Sequence, residues 1–96
     1  MKIVSINHND STKLTREQIV ELFGDDLCFM DGFDSCIVGI VKRCGFQNLI
    51  CYDTQLVLDE LMSSGDMSLD EAEEFFSFNQ LGAWMGENTP CFITMI

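Results

Sequence analysis

No Lys, Arg or His follows Arg43 in this 96-residue chain, whereas nine carboxylates do. Lys2, His8, Lys13, Arg16, Lys42 and Arg43 are the whole basic complement, and all lie in the first half. A field so one-sided repels nucleic acid and anionic membranes and steers basic surfaces inward, so direct nucleic-acid binding is excluded and a basic protein partner is favoured. Long hydrophobic runs are missing too. Cys36 to Val41 is far too short to span a bilayer, and no signal-peptide core follows Met1-Lys2. Glycine forms no phosphate-cradling pattern: Gly82 and Gly86 are neither G-x-G-x-x-G nor followed by Lys. The five cysteines include no C-x-x-C pair and are odd in number, so they read as reduced thiols of a cytoplasmic protein.

What is present is apolar. Hydrophobic residues make up 47% of the chain, eight of them Phe, which is enough to fold despite a net charge of −11. At this length the expectation is a single domain, residues 1–96, with one small core. Lys2 to Ile6 alternates like a short strand. Thr15 with Gln18 is a capping box that opens a helix, Ile19, Val20, Leu22 and Phe23 form its apolar stripe, and Gly24 stops it. Cys36 to Val41 and Asn48 to Tyr52 read as antiparallel strands joined across Cys44-Gly45-Phe46-Gln47, with Gly39 marking a bulge. Asp53 caps a helix with Val57, Leu58, Leu61 and Met62 inward. Ser68 with Glu71 is a second capping box and opens another helix, Leu69 to about Asn79. Pro90 precedes a final strand, Cys91 to Ile96, at a sheet edge because proline cannot donate to a ladder. The predicted class is α+β: a small, mostly antiparallel sheet of three to four strands covered by two or three helices.

The helix from Leu69 is the sharpest feature. At about 100° per residue, Leu69, Ala72, Phe75, Phe76 and Asn79 share one side, and Asp70, Glu73, Glu74 and Ser77 share the other. Asp70 and Glu71 suit the positive helix start, but Glu74 follows Asp70 by four residues with no cation between them, a mildly destabilising pair. A solvated outer face is one reading of that ridge. The functional reading has Asp59, Glu60, Asp66, Asp70, Glu73 and Glu74 meeting a basic partner, with Phe78 or Trp84 as an apolar anchor. Packing of Phe78 beneath the Trp84 loop is the bland alternative, and Asn79 reads as a buried polar residue holding the next turn. Glu60 to Glu71 has the length of a calcium loop, yet Met62 and Ser64 occupy positions that need charge, so no metal is expected. An acidic second helix also rules out a DNA-binding helix-turn-helix. No acid–base pair stands out and nothing forces a nucleophile near His8, so neither an enzyme nor a cofactor is expected.

The segments Phe33-Asp34-Ser35-Cys36-Ile37-Val38-Gly39-Ile40, Arg43-Cys44-Gly45, Cys51-Tyr52-Asp53, Glu71-Ala72-Glu73-Glu74-Phe75 with Asn79, and Gly82-Ala83-Trp84-Met85-Gly86-Glu87-Asn88-Thr89-Pro90 belong together. In them the chain resembles a family of small acidic proteins encoded in bacteriophage genomes. The resemblance spans about Phe29 to Phe92, which makes 28–96 a family-like core and 1–27 an N-terminal addition. It implies a phage origin and action in the host cytoplasm or in the particle, and it carries no catalytic residues. By turn chemistry alone, Gly82, Gly86 and Pro90 fix a bend, Trp84 closes one end of the core, and Glu87 or Asn88 bonds to turn amides. The combined expectation is an accessory protein that binds and inhibits a host nucleic-acid-handling protein, such as a defence nuclease or DNA-repair enzyme, by mimicking nucleic acid. The competing expectation is a self-associating assembly protein, a homo-oligomer whose acidity only keeps it soluble.

Overall fold

The apolar run after Asn48 is continuous rather than alternating, as befits a strand covered on both faces. A computed structural model describes residues 14–83 and 86–96 and makes this run the central strand. Strand β1 (Ile37–Val41) pairs antiparallel with β2 (Leu49–Asp53), matching Gly39 to Cys51, Ile40 to Ile50 and Val41 to Leu49. The register slips between Ile37 and Gly39, which is the bulge expected at that glycine. All of Leu49, Ile50, Cys51 and Tyr52 are buried.

Strand β3 (Cys91–Ile93) lies on the other side of β2 and runs parallel to it, setting Cys51 beside Cys91 and Tyr52 beside Phe92. The α+β class expected from the sequence is the one adopted, with a mixed sheet of order β1-β2-β3. A parallel neighbour requires a long crossover, and the two helices that follow β2 supply it. The last strand is at an edge as expected but ends at Ile93, leaving Thr94, Met95 and Ile96 exposed. The strand expected over Lys2 to Ile6 lies outside the described residues.

Helix α1 (Arg16–Phe23) starts at the Thr15 capping box, in which the Thr15 hydroxyl accepts from the Gln18 N–H and the Gln18 side chain accepts from the Thr15 N–H. Its stripe is narrower than expected. Ile19 is buried and Phe23 half-buried, but Leu22 is exposed. Helix α2 (Thr54–Ser64) begins directly at the end of β2, because the Asp53 carboxylate accepts from the N–H groups of Gln55 (2.8 Å) and Leu56 (3.3 Å). Helix α3 (Leu69–Phe76) begins at Ser68 and continues as a wider π turn over Ser77–Leu81, closed by the Gly82 N–H on the Ser77 carbonyl. Ile19, Cys36, Ile50, Tyr52, Val57, Leu58, Leu61, Ala72 and Phe76 form one core, and Phe92 stands edge-to-face on Phe76 with centroids 4.9 Å apart.

Three long-range ties position the segment between α1 and β1. The Met30 N–H donates to the buried Tyr52 hydroxyl at 2.7 Å. Arg16 donates through Nε to both Asp34 carboxylate oxygens and reaches Asp31 at 3.1 Å, with its guanidinium 4.8 Å from the Phe29 ring centre. Glu87 or Asn88 was expected to bond to turn amides. The Asn88 Nδ2 instead donates to the Asp26 carbonyl, while Thr89 closes the local turn by donating through its hydroxyl to the Gly86 carbonyl. The expectation for Trp84 falls outside the described residues.

Candidate protein-binding face

The acidic face is built from the turn upward. The Gly65 N–H caps α2 on the Leu61 carbonyl, and Asp66, with φ of 54°, takes the left-handed conformation that redirects the chain into α3. Ser68 then fixes the first turn: its hydroxyl accepts from the Glu71 N–H, and its own N–H donates to the Glu71 carboxylate at 2.9 Å. These bonds with the Ser68 backbone and side chain hold the Glu71 carboxyl below its ordinary range.

Two turns of helix spread the aromatic residues too widely for one core. Phe75, Phe76 and Phe78 span about 160° of the helical wheel at 100° per residue, so at least one must face outward. The structure buries Phe76, half-exposes Phe75 and leaves Phe78 77% exposed. Phe78 therefore does not pack away as the bland reading would have it. With Met67, Asp70, Glu71, Glu74, Phe75 and Asn79 it lines a surface groove of about 390 Å³. Apolar and carboxylate side chains line the groove together, and among the described residues no cation lines it.

The expected site residues divide. Asp70, Glu74 and Phe78 come together in the groove, joined by Glu71, Met67 and Phe75. Glu73 is exposed on the flank of α3 away from it. Asp59 and Glu60 belong to α2 and are already engaged by neighbours one turn away. Asp59 accepts from Gln55 Nε2 at 2.9 Å, and Glu60 accepts from the Ser64 hydroxyl. Asp66 stays at the turn. Asn79, expected to be buried, is exposed. The π turn rotates it off the α-helical schedule, and its Nδ2 donates to the Phe75 carbonyl at 3.2 Å.

A second hollow of about 360 Å³ adjoins the groove at Phe75 and Asn79 and is walled by Phe29, Phe33, Pro90 and Phe92 among others. Sequence reasoning missed it because its walls come from three separated segments. The half-exposed Phe75 could have been found from the crowding of three rings into four positions. Among the described residues, no three His, Cys, Asp or Glu side chains converge as metal ligands, and no helix is long and apolar enough to cross a membrane. Burial, with a hydrogen bond to Cys91, pushes the Cys51 thiol up to about 11, the opposite of what a nucleophile needs. The face can offer negative charge and apolar contact together, which is the chemistry of recognition. The chain matches no protein-family model, no curated protein and no solved structure.

Proposed function

We propose that the chain is a phage accessory protein that binds and inhibits a basic, nucleic-acid-handling protein of the host, acting in the host cytoplasm. The defence nuclease or DNA-repair enzyme so targeted would receive carboxylates where it normally receives phosphates. The observation that carries this reading is the placement of a 77% exposed Phe78 among Asp70, Glu71 and Glu74 in a half of the chain that has no basic residue. Exposed aromatic anchors surrounded by a polar rim are the usual core of a binding surface. The phage origin rests on the resemblance described for Phe29 to Phe92. Inhibition follows if the face covers the target's nucleic-acid groove, and no catalytic step by this chain is involved.

Reversing Glu73 and Glu74 to Lys tests the reading. Both side chains are exposed, so the fold should survive and give an unchanged circular dichroism spectrum, while binding to the target is abolished. Unchanged affinity in that double variant removes mimicry as the mechanism. A second reading, self-association of an assembly protein, is favoured by the exposed Ile93, Met95 and Ile96 at and beyond edge strand β3. Salt separates the two. Mimicry weakens steeply as ionic strength rises, and apolar association persists or strengthens.

A further inference from the structure

The described cations of this chain share one habit. Arg16 lies 4.8 Å from the Phe29 ring centre, Lys42 5.6 Å from that of Phe23, and Arg43 4.3 Å from that of Phe46. Arg16 shows the arrangement in full, with the ring beneath it and two carboxylates, Asp31 and Asp34, around the guanidinium. The groove on α3 repeats the same ingredients with no cation among the described residues. Phe75 and Phe78 supply rings, Asp70 and Glu74 supply carboxylates one helical turn apart, and Met67 completes the floor. Neither Asp70 nor Glu74 has an ion-pair partner among the described residues. A planar guanidinium stacks on an aromatic face while its edge offers a fixed fork of donors to carboxylates, whereas a lysine ammonium meets ring and carboxylate only as a point charge.

We propose that this groove is a receptor for an arginine side chain presented by the basic partner, stacked on Phe78 and hydrogen-bonded to Asp70 and Glu74. The inference rests on the reading of the face as a protein-binding surface and narrows its partner to one that offers arginine beside an aliphatic residue. Charge complementarity selects this occupant, because an acidic rim repels another copy of the same acidic face. The neighbouring hollow behind Phe75 then receives the aliphatic side chain.

The test uses the full chain, labelled with 15N, and two capped peptides of equal charge, one alternating leucine with arginine and the other leucine with lysine. The arginine peptide should shift amides of 67–79 and bind tighter than the lysine peptide, because both cations can sit over the ring but only guanidinium adds paired donors to the carboxylates. Phe78→Ala should erase that preference, and Glu17→Gln with Glu21→Gln on α1, which removes two carboxylates away from the groove, should keep it. Equal affinity for both peptides, or shifts centred on α1 or α2, would overturn the proposal. A host partner that is lost on reversing Glu73 and Glu74 but indifferent to Phe78→Ala would sink the arginine receptor and leave the acidic interface standing. Indifference to both changes would remove the two together.

Discussion

Replacing Tyr52 with Phe should loosen the segment that walls the hollow beside the candidate face while leaving the core packed. Tyr52 is fully buried in the central strand, with its ring 5.9 Å from that of Phe92, and the substitution keeps this ring in place. What disappears is one oxygen, the acceptor of the Met30 N–H at 2.7 Å. An amide left without its acceptor in a partly buried position costs about 1–2 kcal/mol. For a domain of this size each kcal/mol lowers Tm by about 4–8 °C, so the expected drop is about 5–15 °C. Circular dichroism melting measures this, and amide exchange locates it. Met30 and its neighbours Phe29 and Asp31 should lose protection well before α2 does. Burial also holds the Tyr52 hydroxyl above its ordinary pKa, so the neutral form is the one the fold prefers. A Tm within about 1 °C of the parent, with Met30 protection unchanged, would refute the claim that this bond anchors the segment.

Two other outcomes follow from other residues of β2. Asp53→Ala removes the acceptor for the Gln55 and Leu56 N–H groups at the start of α2 and should cost about 1 kcal/mol in urea unfolding, with Asp53→Asn recovering most of it. Cys51 has its folded pKa raised, from 9.0 to about 11, so the neutral thiol favours folding below pH 9 and that contribution is lost as pH rises toward 11. Stability measured across this window should fall, and Cys51→Ala should flatten the decline. An unchanged slope in that variant would assign the loss to other groups.

Local chemistry was legible in the sequence wherever donors and acceptors lie within a few residues. The Thr15 and Ser68 capping boxes, the Asp53 cap, the β1–β2 hairpin and the bulge at Gly39 are all where short-range rules put them. Relations carried by long loops were not. The parallel direction of β3 depends on where the chain from Thr54 to Pro90 travels, and no periodicity encodes that. The ties of Arg16 to Asp34 and of Asn88 to Asp26 cross 18 and 62 residues with no pattern to announce them. At the candidate face the acids of α3 were read correctly as exposed, but a strict 100° wheel misplaced Asn79 because the helix widens into a π turn after Phe76. The same wheel put Glu73 beside Glu74, although only Glu74 reaches the groove.

Salt-stepped capture from host lysate tests the central claim most directly. The tagged chain is loaded at low ionic strength, eluted with rising salt, and the eluate identified by mass spectrometry. The acidic-interface account predicts release of one basic, nucleic-acid-binding host protein at moderate salt, which the Glu73→Lys with Glu74→Lys variant fails to capture. Recovery of the bait alone, as an oligomer that resists salt, would contradict it and make self-association the function of this fold.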